Sequence, residues 1–246
     1  MHGDEPAGAE VVEQVRAWPE SAWTDCPHGM VLAVGHPDAL AAGTRTLAGA
    51  PDLNRAFGPE GVGGPVGRRA AELAAALHDV DVLLDLHQTH RPIPPLGVLP
   101  DAPGCRELAR RLGLEVAVEN AALVYGDSMI ADHVAGRGGV AVTVELGAVA
   151  DPACVRRGLG LVRALIHEHS PASDLTIWRI ESVLRVPGAG MRFTRPLDNG
   201  SRVHAGELLA ASAAGPLHAP ADGAVFLPRE DASPGAAAAL FARRVS

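Results

Sequence analysis

Hydrophobic and polar positions follow two different patterns along the chain, and the pattern changes near residue 172. Before that point, short apolar runs typical of buried strands stand between Ala-, Leu- and Arg-rich stretches typical of helices. The strand candidates are Met30–Val34, Val80–Leu86, Val116–Val118 and Val140–Leu146, and the helix candidates are Glu5–Trp18, Gly67–Leu77, Cys105–Leu112, Asp127–Val134 and Pro152–His169. Continuous apolar strands between helices predict an α/β domain whose mixed sheet is covered by helices on both faces.

The rest of the chain has the pattern of an all-β region. Thr176–Val186 alternates with a period of two over much of its length, and Gly, Pro and Asn-Gly turn signals separate the short runs Leu208–Ala210 and Ala224–Leu227. We therefore expect an α/β domain over residues 1–172 and a small β domain over residues 173–246. The ending PLHAPADGAVF resembles lipoyl-like barrels, but the 21 basic residues are all Arg, which excludes a lysine-linked swinging arm.

Composition narrows the partners that the protein can have. About half of the 246 residues are apolar (47%), which is enough for a sizeable core, and the net charge of −8 argues against nucleic acid. No apolar run reaches the roughly 18–20 residues that cross a bilayer. Three widely spaced cysteines without a CxxC pair indicate reduced thiols in a cytoplasmic protein. We expect a small-molecule substrate, with homo-oligomerisation left open.

Three side chains have the spacing of a catalytic metal site. His2 and Glu5 form an HxxE pair at the start of a predicted helix, where residues three apart share a face. His87 ends the apolar run DVLLDLH, at the carboxyl end of a strand, where open α/β sheets place their sites. Two His and one Glu leave the fourth position of zinc open for water, as in catalytic sites. The alternative is structural, because HxxE alone is common and a strand-end His is usually a hydrogen-bonded loop residue.

Glu145 is the candidate acid/base. It follows the apolar run AVTV in AVTVELG, and partial burial would poise it for proton transfer. A carboxylate beside zinc-bound water can take a proton and return it to a leaving amine. The alternative is a strand-end carboxylate that pairs with a nearby Arg.

Four motifs in order extend this interpretation. They are HGDEPAG from His2, DLNRAF from Asp52, DLHQT from Asp85 and VTVELG from Val142. Together they resemble the succinylglutamate desuccinylase/aspartoacylase family, a branch of the zinc carboxypeptidase-like fold, over about residues 2–150, and the small β domain also fits this family.

The resemblance implies a role for each matching residue. One zinc per chain would be held by His2, Glu5 and His87, and Glu145 would be the catalytic acid/base. Asn54 and Arg55 match positions that hold the carboxylate end of the substrate, and Arg45 matches the arginine that polarises the scissile carbonyl.

The implied activity is hydrolysis of the amide bond of a small anionic N-acyl amino acid, with zinc-bound water as nucleophile. Two other functions remain open at this stage. One is a zinc carboxypeptidase acting on small peptides, which the DLNR motif disfavours, and the other is a non-catalytic descendant with a truncated metal site.

The start of the chain departs from the family pattern. In the family a strand and a Gly-containing turn precede the first motif, whereas here only Met1 precedes His2. Chain termini fray unless they are tied into a sheet. We therefore expect that the first strand is missing from the chain as written, that this chain binds zinc weakly, and that an upstream segment encodes a short β-rich run ending in Gly.

Overall fold

The computed structural model describes residues 2–24, 26, 29–90, 92–167 and 174–245. The chain separates into two compact units, one of residues 1–117 and 125–175 and the other of residues 118–124 and 176–246. The predicted domain boundary at residues 172 and 173 lies outside the described residues, as does His169 at the end of the last predicted helix.

Helices and strands alternate in the first two thirds of the chain, and strands follow alone. The helices are α1 (Pro6–Arg16), α2 (Pro37–Ala42), α3 (Gly64–Ala76), α4 (Cys105–Arg111), α5 (Ala122–Tyr125), α6 (Ile130–Ala135) and α7 (Ala153–His167), with 3₁₀ turns at Glu20–Trp23 and Leu53–Arg55. The strands are β1 (Val82–Thr89), β2 (Leu96–Leu99), β3 (Val116–Glu119), β4 (Val140–Ala148), β5 (Thr176–Arg185), β6 (Arg192–Phe193), β7 (Ser201–Val203), β8 (Leu208–Ser212), β9 (Gly215–His218), β10 (Gly223–Phe226) and β11 (Ala237–Arg244).

Strand β4 is the centre of the sheet in the first unit. It pairs in parallel with β1 and antiparallel with β2, so the sheet is mixed, as predicted. In the β1–β4 register, Asp85 lies opposite Thr143 and His87 lies opposite Glu145. Because side chains alternate between the faces of a strand, these four residues project from the same face.

Helices cover both faces of this sheet. Leu84 and Leu86 of β1 pack with residues of α1 and α7, whereas Leu83 of β1 packs with residues of α3 and α6. The alternation of β4 agrees, because Val142 joins the cluster of α4 and α7 and Ala141 joins the cluster of α3 and α6. The predicted two-sided α/β architecture is therefore confirmed.

The predicted strand Met30–Val34 is wrong, because this segment has no regular secondary structure. A strand needs a neighbour for its backbone groups, and no described strand pairs with this segment. The side chain of Arg69 donates instead to the carbonyls of Val34 and Gly35, over 2.6 and 2.8 Å. A cavity of about 1050 Å³ is lined both by this segment and by β1.

Two short elements of the first unit, α2 and β2, are missing from the sequence-based prediction. Strand β2 is only four residues long and is flanked by Pro95 and Pro100, which read as loop signals. Its four residues are all buried, and its pairing with β4 makes it a strand.

Strands β5 to β11 of the second unit pair antiparallel, which agrees with the all-β pattern predicted for this part of the chain. Strand β11 pairs with both β5 and β10, β10 also pairs with β7, and β8 pairs with β6 and β9. The sequence did not predict β11, whose alanine-rich AAALFARR has high helix propensity. Its pairing with two strands, and the burial of Phe241 among the side chains of this unit, override that propensity.

Two glycines of α7 give a test of this packing. An added Cβ at Gly158 would lie 2.6 Å from Val11 Cγ2 of α1, whereas one at Gly160 would meet nothing within 4 Å. Gly160→Ala should stabilise the fold by about 0.5–1 kcal/mol through helix propensity, and Gly158→Ala should destabilise it by about 1–3 kcal/mol through overpacking. Urea unfolding of both variants measures the difference. Equal changes at the two positions would contradict the close approach of α1 and α7.

Candidate active site

The segment that carries His2 and Glu5 is held at the entry to α1. The amide of Ala7, in the first turn of α1, donates to the side-chain oxygen of Gln88 over 2.8 Å. Gln88 follows His87 on β1, and its own amide donates to Glu5 Oε2 over 3.3 Å. The start of α1 is therefore tied directly to the strand that carries the third predicted ligand.

Gly3 allows a second close approach, on the other side of the same segment. A Cβ at this position would overlap the backbone of Ala39 and Leu40 in α2. The amide of Glu5 also donates to the carbonyl of His2 over 3.3 Å, which closes a turn around Gly3. His2 is buried, 6% exposed, and these contacts among described residues hold it in place.

The structure brings the three predicted metal ligands together. Glu5 lies between the two imidazoles, with Oε1 2.7 Å from His2 Nδ1 and Oε2 2.8 Å from His87 Nδ1. One ligand atom from each of the three residues lies within 4.8 Å of the others, and all three side chains are buried. Imidazole nitrogen and carboxylate oxygen are zinc ligands, so the chemistry of this donor set fits one such ion.

Each histidine has a carboxylate on its other ring nitrogen. His87 Nε2 lies 2.9 Å from Asp85 Oδ2, and His2 Nε2 lies 2.9 Å from Asp52 Oδ1. Asp85 also accepts from the hydroxyl of Thr143 over 3.3 Å. Such partners fix the tautomer and the orientation of a metal-binding imidazole, so both Nδ1 atoms are directed towards Glu5.

The sequence analysis did not assign Asp52 or Asp85. A signal existed for Asp85, because residues two apart on a strand share a face and DLH places a carboxylate beside His87. For Asp52, 50 residues from His2 in sequence, periodicity offered no comparable signal.

Electrostatics stabilise charge within this cluster. Burial opposes ionisation of Glu5, but His87 and His2 outweigh it and lower the pKa of this carboxyl. Burial also opposes protonation of His87, but Asp85 and Glu5 raise the pKa of its imidazole to about 9. A metal ion that took the Nδ1 position of His87 would therefore displace a proton.

Glu145 lies beside this cluster, opposite His87 in the strand register. Its Oε2 is buried and has no hydrogen-bond partner among the described residues. Burial raises the pKa of Glu145 to about 7, with the charge of His87 opposing the shift. The alternative role as a partner of an Arg finds no support, because the described part of the chain contains no ion pair of Glu145.

Arg45 lies next to Glu5 and Asp52, and its predicted role at the scissile carbonyl stays a prediction. It forms an ion pair with Asp52 over 2.7 Å and reaches within 3.5 Å of Glu5 Oε1. Its side chain is 45% exposed, so the guanidinium borders both the buried cluster and solvent.

Asn54 and Arg55 follow Asp52 in a 3₁₀ turn and have different surroundings. Asn54 is buried, and its Oδ1 accepts from the amide of Ile130 over 3.0 Å, at the start of α6. Arg55 is half-buried, donates to the carbonyl of Asn54 over 2.6 Å and lies over the ring of Tyr125, with 3.8 Å from Cζ to the ring centroid. Arg55 forms no ion pair within the ranges that the structure describes.

The fold and the site define a class of protein: an α/β enzyme with a buried His-Glu-His cluster beside a carboxyl whose pKa is near neutrality. Residues 1–173 match the succinylglutamate desuccinylase/aspartoacylase catalytic domain. The chain therefore belongs to this family, which places it among hydrolases of acylated amino acids, as the four motifs indicated.

Solved structures share the fold. A succinylglutamate desuccinylase from Vibrio parahaemolyticus has a TM-score of 0.79 at 24% identity, with 100% of this chain and 80% of that chain covered. A succinylglutamate desuccinylase/aspartoacylase from Rhodobacter sphaeroides has a TM-score of 0.78 at 22% identity, covering 100% and 83%. An ectoine utilization protein from Ruegeria pomeroyi, solved with product bound, has a TM-score of 0.78 at 21% identity, covering 98% and 82%.

No curated protein matches the sequence. Among the described helices, none has the length and apolar character needed to cross a membrane.

The pKa of Glu145 predicts how the stability of the metal-free protein depends on pH. The folded-state pKa of about 7 exceeds the ordinary value of 4.5, so the stability that Glu145 contributes is complete below about pH 4.5 and is lost as the pH rises through 7. Glu145→Gln removes this loss. The variant should gain stability relative to the wild type between pH 5 and pH 8, by up to about 3 kcal/mol. Urea unfolding of both proteins with a chelator at pH 5 and pH 8 measures this gain. A difference in the free energy of unfolding between variant and wild type that does not change with pH would contradict the raised pKa of Glu145.

Proposed function

We propose that this protein is a zinc-dependent hydrolase that cleaves the amide bond of an N-acylated amino acid or a similar small acid. The observation that carries the proposal is the buried set of His2, Glu5 and His87, with Glu145 beside it, whose buried Oε2 has no partner among the described residues. Family membership supports the reaction class.

The donor set supports one zinc per chain. His2 and His87 would bind through Nδ1 and Glu5 through its carboxylate, because these atoms converge while Asp52 and Asp85 occupy the outer ring nitrogens. When bound, zinc supplies Lewis acidity, which lowers the pKa of water from about 15.7 to about 7 and polarises a carbonyl.

Glu145 supplies the proton transfer. Efficient acid/base groups have a pKa near the working pH, and burial places that of Glu145 at about 7. Its Oε2 has no described partner to displace, so it can take a proton from the attacking water and return it to the leaving amine.

Arg45 and Arg55 would contact different parts of the substrate. Arg45 borders the ligands and would stabilise negative charge that develops on the scissile carbonyl oxygen, an effect of about 3–4 kcal/mol for one good donor. Arg55 has no carboxylate partner among the described residues, and its planar fork suits the carboxylate of the substrate. Asn54 would support this subsite through its bond to Ile130.

Removal of the metal should remove the activity. Dialysis against a chelator is expected to abolish turnover of N-acyl amino acids, and one equivalent of zinc should restore it, because the three ligands converge on a single point. Zinc content and turnover are measured in parallel. Full activity of metal-free protein would overturn the proposed mechanism, and blocked dipeptides as the better substrates would favour a carboxypeptidase.

Substitutions should separate proton transfer from substrate binding. Glu145→Gln keeps size but cannot accept a proton, so kcat should fall by ~10²–10⁴ while zinc stays bound. Arg55→Ala should mainly raise KM, because it removes a contact made equally in the ground state and the transition state.

Arg68→Ala is the matched control for Arg55→Ala, because Arg68 is an exposed arginine of α3. It should leave both kinetic constants unchanged. If Arg55→Ala mainly lowered kcat and Glu145→Gln mainly raised KM, the proposed roles of Arg55 and Glu145 would be reversed.

A further inference from the structure

Arg55 has an aromatic neighbour that neither the motifs nor the family resemblance assigned. The guanidinium lies over the face of Tyr125, with Cζ 3.8 Å from the ring centroid. A cation within about 6 Å of an aromatic centroid is attracted by the negative face of the ring. Tyr125 is the only tyrosine in the chain.

The turn that carries Tyr125 is tied to the segment that carries Arg55. The amide of Phe57 donates to the carbonyl of Ser128 over 3.1 Å, and the hydroxyl of Ser128 donates to the carbonyl of Tyr125 over 2.6 Å. The amide of Ile130 donates to Asn54 over 3.0 Å, on the other side of the turn. These ties hold the backbone of Tyr125 close to the backbone from which Arg55 projects.

The charge of Arg55 is left for a ligand. Its one described hydrogen bond is Nη1 to the carbonyl of Asn54. The nearby carboxyl of Asp132 accepts from the amide of Met129 over 3.3 Å and forms no ion pair with Arg55 in the described chain. Nε and Nη2 therefore have no acceptor among the described residues.

We propose that Tyr125 is a positioning residue that holds the guanidinium plane of Arg55 and thereby sets the preference for an anionic substrate. The proposal rests on the proposed function, in which Arg55 binds the substrate carboxylate. The ring restricts Arg55 to orientations that leave its unpartnered N–H groups available. The ring face carries this effect, so any aromatic residue at position 125 should preserve it.

The test compares the binding of an anionic probe and a neutral one to zinc-loaded protein that carries Glu145→Gln throughout, so that the anionic probe is bound but not turned over. N-Acetyl-L-glutamate and its diamide differ in charge but hardly in size, and calorimetry measures both affinities. Tyr125→Leu should weaken binding of N-acetyl-L-glutamate by ~3–30-fold, the range of a cation–π contact, and should leave the diamide unaffected. Tyr125→Phe and Tyr125→Trp keep a ring face and should bind the anion within about twofold of the wild type.

A double-mutant cycle tests whether Tyr125 acts through Arg55. In the Arg55→Ala background, Tyr125→Leu should have no further effect, because the group that it positions is absent. With a turned-over substrate, Tyr125→Leu should raise KM and leave kcat unchanged.

Several results would overturn the inference. One is an equal loss of affinity in Tyr125→Phe and Tyr125→Leu, and another is an equal loss of affinity for the anion and the diamide. The others are an unchanged affinity of Tyr125→Leu for the anion, and an effect of Tyr125→Leu that is as large in the Arg55→Ala background as in the wild type. The proposed function fails separately: absent turnover with the expected binding pattern would refute the hydrolase and keep the role of Tyr125. Normal turnover with no effect of Tyr125→Leu on binding would keep the hydrolase and refute the role of Tyr125.

Discussion

The site depends on the parallel register between β1 and β4. That register places His87 opposite Glu145 and Asp85 opposite Thr143, on the face that packs farther along against α3 and α6. A shift of one residue would turn each of these side chains to the other face of its strand. The same period of two sends Leu84 and Leu86 to the opposite face. The pairing of β1 with β4 therefore determines both which side chains enter the core of the first unit and which side chains lie at the candidate active site.

Burial of ionisable groups at the site carries a desolvation penalty, and groups of opposite charge beside them offset it. The two flanking imidazoles lower the pKa of the buried Glu5 carboxyl, and Asp85 and Glu5 raise the pKa of the buried His87 imidazole. Oε2 of Glu145 has no such partner in the described part of the chain, and burial raises the pKa of Glu145 instead. The contrast between the pKa values of the two glutamates supports the proposed roles of Glu5 as a ligand and Glu145 as an acid/base, because active sites commonly separate roles in this way.

The long apolar strands were predictable from the sequence, because burial on both faces leaves a continuous run of apolar residues. The motifs were predictable because their residues lie close together in sequence. Strands β1 and β4, helices α1 and α7, and the His-Glu-His set all follow from such local signals. The prediction failed where neighbours decide the structure. Met30–Val34 has the composition of a strand without a described strand partner, whereas β11 is Ala-rich and becomes a strand because β5 and β10 flank it.

The sequence by itself therefore determined the α/β class, the order of the motifs and the identity of the candidate ligands. Only the tertiary structure decided which groups support them. It brought Asp52 to His2 across 50 residues and placed Tyr125 under Arg55. The physical reason is that a motif records residues close together in sequence, whereas hydrogen bonds and ring contacts depend on distances in space that the packing of distant segments sets.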